Sequence, residues 1–262
     1  MSSIPGYTLE KYIASKIQET VEDVAIIARL APGHGGYDLP QFLYPAKLEL
    51  YEELRQFIET NPARSAPYHN NVHMGQMTCL AFRLYKEGEK CLPSDQDATV
   101  MLLAGMLHDY GHGAGTRTDD VNIIVALHAL ERFVRSSPYM QAIDVKSRRE
   151  LIHDLAEAAI ACTEYPFVHE PKSLAQMYLR DADLLYAAAS GNPTIIMEGL
   201  RREISVSQGR DITYEEMLEG QVLFMGKAKL FTKAGETLHQ KVSRDYLVAM
   251  QAYVESKKPK VV

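Results

Sequence analysis

The sequence is poor in cysteine and has no long apolar run, and each shortage excludes a class of protein. The three cysteines, Cys79, Cys91 and Cys162, form no Cys-x-x-Cys pair, so we expect neither a disulfide framework nor a cysteine zinc site. No segment approaches the roughly 20 apolar residues of a membrane span, and the first residues lack the apolar stretch of a signal peptide. We therefore expect a cytoplasmic protein without membrane association.

Basic residues are also too few for general nucleic-acid binding. The 28 lysines and arginines are outnumbered by 34 aspartates and glutamates, which gives a net charge of −6. A nucleic-acid site needs a basic face, so we expect no nucleic-acid partner. An acidic protein that handles phosphate must also acquire local positive charge, and bound metal ions are the simplest source.

Strand signals are nearly absent, because no alternating run of valine, isoleucine or threonine lies between turns. Apolar residues instead recur at helical spacing. The length of 262 residues suits one large domain. We predict an all-α protein with a single compact domain over residues 1–262, in which helices within residues 1–64 pack on a core formed by residues 65–240.

Helical patterns cover most of the chain, and capping residues mark several of the starts. The helical segments are TLEKYIASKIQETVEDVAIIARL, PAKLELYEELRQFIETN, Tyr68 to about Gly88, the run that reaches His108, DDVNIIVALHALERFV, KSRRELIHDLAEAAIACTE, SLAQMYLRDADLLYAAA and a last long stretch. The capping patterns are Ser94 with Asp97, Asn192 with Pro193, and Thr213 with Glu216 at the start of the last stretch. Glycines at positions 111, 113 and 115 are expected to end the run through His108.

Histidines concentrate in one part of the chain, since five of the nine lie between residues 69 and 128. His69 and His73 are four apart and would share one face of a helix. Such a pair can supply two metal ligands, or one ligand and one acid. Taken alone, a pair of packed or surface histidines is the simpler interpretation.

The dipeptide His108-Asp109 follows an apolar run, LLAGML, which predicts a buried helix. A buried carboxylate is costly unless it is paired or bound to a metal ion, so Asp109 is a candidate ligand. His112 is expected one turn beyond His108 on the same face. The second dipeptide of this kind, His153-Asp154, lacks the apolar run and the trailing glycines, and we interpret it as part of a polar helix face.

A later pair of aspartates completes the candidate metal site. Asp181 and Asp183 are two apart and point in different directions on a helix, so only one can face a given site. We choose Asp183, which leads the apolar pair Leu184-Leu185, although either carboxylate could instead cap a helix. With His73, His108 and Asp109 it gives two imidazoles and two carboxylates. This set suits Zn²⁺, Mn²⁺, Fe²⁺ or Mg²⁺, and Asp109 could bridge two ions.

These motifs resemble the HD superfamily of metal phosphohydrolases, and in detail the class I 3′,5′-cyclic nucleotide phosphodiesterases. YHNNVH resembles their Y-H-N-x-x-H signature, HDYGHGAG their H-D-x-x-H-P-G, CTEYP their T-D-M segment, ADLL their A-D-L and GQVLFM their Q-x-x-F. The resemblance spans roughly residues 65–240. It implies a single HD/phosphodiesterase-like helical domain that hydrolyses cyclic AMP or cyclic GMP to the 5′-monophosphate.

The resemblance also implies a role for each site residue. It implies metal ligation by His73, His108, Asp109 and Asp183, catalysis by His69 and His112, and substrate binding by Tyr68, Gln221 and Phe224. His69 would protonate the leaving 3′ oxygen, and Gln221 and Phe224 would hold the base of a small-molecule nucleotide. Two divalent ions are expected, with Zn²⁺, Fe²⁺ or Mn²⁺ at the tighter site and Mg²⁺ or Mn²⁺ at the second.

The sequence departs from the family pattern near the second ion. The family's S-V-L-E-x-x-H segment has glutamate three residues before histidine, whereas Val125 stands at that spacing before His128. Glu164 or Asp120 could replace the missing carboxylate. The stretch from the HD motif to Asp183 is also shorter than in typical animal enzymes, so a helical insert is expected to be missing.

These departures leave alternatives open. The alternatives are a 5′-nucleotidase, a cyclic dinucleotide phosphodiesterase, which the absence of a Gly-Tyr-Pro signature disfavours, and a regulatory HD domain that binds a nucleotide without hydrolysis. The sequence does not determine the purine preference, the native metals or the oligomeric state.

Overall fold

The computed structural model describes residues 39–143 and 146–258, which form helices and no strand. The α-helices are α1 (Pro45–Ile58), α2 (Asn71–Glu89), α3 (Asp95–Leu107), α4 (Asp119–Ser136), α5 (Pro138–Gln141), α6 (Lys146–Ala161), α7 (Leu174–Ala189), α8 (Arg201–Gln208), α9 (Tyr214–Lys227) and α10 (Lys233–Lys257). A 3₁₀ turn (Leu39–Phe42) precedes α1, and a π-helical segment (Ile195–Leu200) leads into α8. The predicted all-α class is confirmed.

Helix α3 lies at the centre of the fold. Every residue from Ala98 to Leu107 is buried, as expected for a helix that is apolar on all sides. It packs against α1, α2, α4, α6 and α7. Helix α7 in turn packs on α2 and α10, and α9 packs on α10. The C-terminal end of α3, the start of α2 and the middle of α7 therefore meet in one region.

Local capping patterns explain where several helices begin. The Ser94 hydroxyl accepts a hydrogen bond from the backbone N–H of Asp97 (3.1 Å) at the start of α3. Thr213 and Glu216 form both halves of a capping box at the start of α9. The last predicted stretch is wrong in one respect, because it is two helices. Thr232 begins α10 by accepting from the N–H of Gly235.

The predicted N-terminal helix over TLEKYIASKIQETVEDVAIIARL lies outside the described residues. From residue 39 onward the N-terminal part does pack on the remainder, through α1 against α3. The domain limits of 1–262 stay a prediction. In the described ranges, no helix has the length and apolar character needed to cross a bilayer.

Candidate metal centre

Helix α2 begins later than the sequence predicts, and this changes the position of His69. The side chain of Asn70 accepts hydrogen bonds from the N–H groups of Val72 (2.9 Å) and His73 (3.1 Å), so it caps a helix that starts at Asn71. His69 therefore precedes the helix, and the predicted shared helical face with His73 is wrong. The turn still leaves the two rings close, with centroids 5.7 Å apart.

The turn after α3 likewise places His112 differently from the prediction. The helix ends at Leu107, and Gly111 adopts a left-handed conformation with φ of 75°, which favours glycine. His112 is thus in the turn and not on a helical face with His108. The turn brings its ring against that of His69, with centroids 3.8 Å apart and the planes 29° from parallel.

Side chains from three elements converge on one buried point. The Nε2 atoms of His73 and His108 lie 3.2 Å apart. Asp109 Oδ2 lies 3.1 Å from the first of these nitrogens and 3.0 Å from the second. Asp183 Oδ1 approaches the same nitrogens at 3.3 Å and 3.8 Å. The structure thus brings together all four residues that the sequence predicts as metal ligands.

The geometry of His73, His108 and Asp109 fits a bound divalent ion, and Asp183 Oδ1 lies within 3.8 Å of both imidazole nitrogens. Ligand atoms at ~2.0–2.2 Å from one ion are roughly 3.0–3.5 Å from each other when they subtend the angles of octahedral or tetrahedral sites. The buried Oδ2 atom of Asp109 has no hydrogen-bond partner among the described residues, although two imidazole nitrogens are near it. The Nδ1 of His108 lies 2.9 Å from the Gly105 carbonyl, which orients Nε2 toward the site.

In the absence of an ion, the surroundings of His73 and His108 favour their protonated forms. Burial opposes charge on His73 and His108, but the neighbouring carboxylates of Asp109 and Asp183 raise the pKa of both, that of His108 to about 9. Burial also opposes charge on Asp109, yet the adjacent His108 and His69 hold its pKa well below the ordinary value. A metal ion would replace these protons, since its ligands must be deprotonated.

Asp109 belongs to a second group of possible ligands. Its carboxylate, His69 and His112 each offer one ligand atom, and the three atoms lie within 4.8 Å of one another. The first group, His73 and His108 with Asp109, meets the same criterion. A carboxylate common to both groups has the position expected of a bridge between two ions.

Glu203 on α8 is the main site residue that the sequence analysis missed. Its Oε2 lies 2.5 Å from His69 Nδ1, and its Oε1 accepts from the N–H groups of Tyr68 (2.7 Å) and His69 (3.1 Å). Burial opposes its ionisation, but the contacts with His69, the Tyr68 N–H and His112 hold its pKa below the ordinary value. No local pattern in RREISVS distinguishes this glutamate.

A cavity of about 650 Å³ opens beside these groups. The residues predicted to bind substrate, Tyr68, Gln221 and Phe224, all line it. Gln221 is buried and Phe224 is half-buried, and both project from α9. Helix residues three apart lie on one face, and both of these side chains face the cavity.

Neither carboxylate suggested as a replacement for the missing glutamate lines the cavity. Asp120 is exposed, and Glu164 Oε2 lies 3.7 Å from His169 Nε2. Asp119 lines the cavity instead, and its Oδ1 lies 3.8 Å from His112 Nε2. The carboxylate of the first turn of α4 that lines the cavity is therefore that of Asp119, and the structure does not place Asp120 there.

The other candidate aspartates have separate positions. Asp181 is fully buried and accepts from the N–H groups of Phe231 and Thr232 and from the Thr232 hydroxyl, so it fastens α7 to the start of α10. His153 and Asp154 lie on α6, where Asp154 is exposed and neither lines the cavity. They form a loose group with Glu157 that could hold an ion, although surface acidic groups commonly occur without one.

Comparison with known proteins gives a likeness in fold. No protein-family model and no curated protein sequence matches this chain. Among solved structures it is similar to the phosphodiesterase domain of the RhoPDE fusion protein from the choanoflagellate Salpingoeca rosetta, with a TM-score of 0.56 and 11% identity. The match covers 97% of this chain and 92% of that one. At this identity the match shows that the two chains share a fold.

Proposed function

We propose that this protein hydrolyses a 3′,5′-cyclic nucleotide, cyclic AMP or cyclic GMP, to the 5′-monophosphate with the help of two divalent metal ions. The observation that carries the proposal is the convergence of His73, His108, Asp109 and Asp183 on one point beside a cavity of nucleotide size. The likeness in fold to a phosphodiesterase domain supports the class of reaction.

Four side chains would hold the ions. His73, His108, Asp109 and Asp183 would bind the tighter one, for which Zn²⁺, Fe²⁺ or Mn²⁺ suits the mixture of imidazole and carboxylate. Asp109 would also hold the second ion, Mg²⁺ or Mn²⁺, and the nearby His69 and His112 would keep Nε2 free for the substrate. When bound, such a pair activates water for attack on phosphorus and neutralises charge on the phosphoryl oxygens.

His69 would act as the general acid. Its Nδ1 contacts the Glu203 carboxylate at 2.5 Å, which leaves Nε2 as the nitrogen available to a ligand in the cavity. In this arrangement Nε2–H would donate its proton to the 3′ oxygen of ribose as the P–O bond breaks. Glu203 would keep the ring in this orientation and favour one protonation site on it.

His112 would assist from the opposite side of the stacked pair. Its Nδ1 accepts a hydrogen bond from the N–H of Ala114 at 3.0 Å, so a neutral ring carries its proton on Nε2. That N–H would be available to a phosphoryl oxygen as negative charge increases in the transition state. Tyr68, which lines the cavity beside His69, would limit the space around the phosphate.

Gln221 and Phe224 would bind the base. An amide can present a donor or an acceptor to a purine edge, so Gln221 can pair with adenine or guanine. Its side-chain amide has no hydrogen-bond partner among the described residues. The ring of Phe224 offers an apolar face at the same end of the cavity.

The proposal is tested by a panel of substrates with Mg²⁺, Mn²⁺ and Zn²⁺. Cyclic AMP, cyclic GMP, 5′-nucleotides and cyclic dinucleotides would each be assayed with wild-type protein. We expect metal-dependent turnover of a 3′,5′-cyclic mononucleotide. Turnover of 5′-nucleotides alone, or of cyclic dinucleotides alone, would assign a different reaction to the same site. Absence of both turnover and bound metal would identify a regulatory domain.

A further inference from the structure

The loop between α6 and α7, residues 162–173, brings two aromatic rings to the mouth of the cavity. Tyr165 and Phe167 both line the cavity, yet 58% and 37% of their surfaces are exposed. Large apolar surfaces left open inside a concave site are typical of ligand contact. In the comparison with the T-D-M segment, Tyr165 occupies the position of the methionine. The aromatic ring at this position is therefore a departure from the family pattern.

The two rings continue an aromatic surface that begins on α9. The ring of Tyr165 lies 5.3 Å from that of Phe167 between centroids, edge to face. On its other side it lies 6.2 Å from Phe224. Three rings from two elements thus form one surface, and Tyr165 is the most exposed of them.

Contacts behind the loop hold this surface in position. The backbone N–H of Tyr165 donates to Asp119 Oδ2 at 2.5 Å. The buried Arg180 guanidinium packs against the ring of Phe167, with its carbon 3.1 Å from the ring centre. A surface ordered before binding loses little conformational entropy when a ligand arrives.

Asp119 also relates the loop to the catalytic histidines. While its Oδ2 accepts from Tyr165, its Oδ1 lies 3.8 Å from His112 Nε2. One carboxylate therefore lies between the loop that carries the aromatic surface and the His69–His112 pair. Both the histidines and the aromatic rings line one cavity, so a molecule with its phosphate near the histidines has this surface within the same cavity.

We infer that Tyr165, supported by Phe167, stacks on the base of the substrate nucleotide and makes a planar heteroaromatic group necessary for efficient binding. The inference rests on the proposed function, because it concerns the substrate named there. Stacking of one base on an aromatic side chain changes affinity by roughly 5- to 150-fold. Tyr165 is therefore a specificity-determining residue and takes no part in proton transfer.

The absence of tryptophan from the sequence allows a direct optical test. The variant Tyr165→Trp contains one indole, whose emission would be recorded while adenosine or guanosine 5′-monophosphate is added to the metal-loaded protein. Ribose 5-phosphate serves as the ligand without a base. Val168→Trp is the matched control, because Val168 is 62% exposed in the same loop and does not line the cavity.

We expect the nucleotides to quench the indole of Tyr165→Trp saturably, ribose 5-phosphate to leave it unchanged, and Val168→Trp to respond to neither. Equal responses to the nucleotides and to ribose 5-phosphate, or no response to any ligand, would overturn the inference. Equal quenching of both tryptophan variants would overturn it too, since the indole would then report a general change in the loop.

Kinetics supply an independent test. Tyr165→Ala should lower kcat/KM for the cyclic nucleotide by roughly 5- to 150-fold and leave it unchanged for ribose 3′,5′-cyclic phosphate, which has no base. An equal loss for both substrates would overturn the inference. If no cyclic nucleotide is hydrolysed but the indole still responds only to nucleotides, base stacking stands and the proposed reaction fails. If the cyclic nucleotide is hydrolysed but the indole does not respond to nucleotides, the proposed reaction stands and base stacking fails.

Discussion

Glu203 contacts His69 from 134 positions further along the chain, with Oε2 2.5 Å from Nδ1 while Oε1 accepts the N–H groups of Tyr68 and His69. One buried carboxylate thereby fixes both the backbone and the ring of the proposed general acid. We therefore expect distinct effects from substitutions of His69, of Glu203 and of Gly115, which lies against the backbone of α8.

His69→Ala should lower kcat for the cyclic nucleotide by about 10²–10⁴-fold, because that is the usual contribution of a positioned general acid. The tighter-bound ion should remain, since His69 does not belong to the group of His73, His108 and Asp109. The 4-nitrophenolate group of a 4-nitrophenyl phosphodiester leaves without protonation, so turnover of that substrate should fall much less. Equal losses for the two substrates in steady-state assays would remove His69 from proton transfer.

Glu203→Gln keeps the shape of the side chain but removes its charge, and the ring of His69 would lose its anionic partner. We expect a loss of roughly 10- to 100-fold in kcat for the cyclic nucleotide, smaller than that of His69→Ala. Turnover of a 4-nitrophenyl phosphodiester, whose leaving group needs no proton, should fall much less. Equal losses for the two substrates would indicate a purely structural role for Glu203.

The affinity for metal should increase with pH, because the metal-free histidines hold protons that an ion must displace. In metal-free protein the folded pKa of His108 is raised to about 9, so its stabilising contribution is complete below the unfolded value near 6.5 and is lost as pH rises through about 9. Binding of an ion expels this proton. Metal affinity should therefore increase from pH 6 to 9.

The measurement is the difference in Tm between metal-loaded and chelated protein across this range, which should widen as pH rises. Proton release on addition of Zn²⁺ at pH 7, followed with an indicator dye in weak buffer, should reach at least one per protein. Constant Tm differences together with no proton release would contradict the predicted charge state of the cluster.

Gly115→Ala should loosen the contact between the turn after α3 and α8. An added Cβ would lie 2.0 Å from the carbonyl oxygen of Glu203, and φ of Gly115 is +88°. We expect a loss of roughly 2–5 kcal/mol in unfolding free energy, with lower activity. Gly209→Ala is the control, because φ is +63° there but no atom lies within 4 Å of the added Cβ.

That control should lose only roughly 1–2 kcal/mol, the usual cost of a left-handed conformation, and should keep full activity. Urea unfolding of the two variants gives the comparison. Similar losses of stability in Gly115→Ala and Gly209→Ala would contradict the close contact between Gly115 and α8.

Local patterns made parts of this architecture predictable. The caps at Ser94 and Thr213 depend on side chains within three residues, and the sequence places them correctly. The apolar run before His108 predicts burial, and burial makes the position of Asp109 costly without a partner. The choice of Asp183 over Asp181 followed from the residues after it, and the structure places Asp183 beside the imidazoles.

Longer-range and conformational features could not be predicted in this way. Glu203 reaches His69 through tertiary packing, and no spacing rule connects residues so far apart. The spacing of His69 from His73 and of His112 from His108 matches one helical turn and predicts helices. The cap at Asn70 and the left-handed Gly111 place both His69 and His112 in turns. The spacing therefore does not predict the stacking of His69 on His112, which these two turns produce.

The central claim is that His73, His108, Asp109 and Asp183 bind metal, and the most direct measurement is the metal content of purified protein by mass spectrometry. Wild type should carry transition metal and acquire two divalent ions per chain when they are supplied. Asp109→Asn should lose both ions, whereas Asp154→Asn, in the second His-Asp dipeptide, should match wild type. Wild-type protein without bound metal, or an Asp109→Asn variant that retains the full content, would contradict the account.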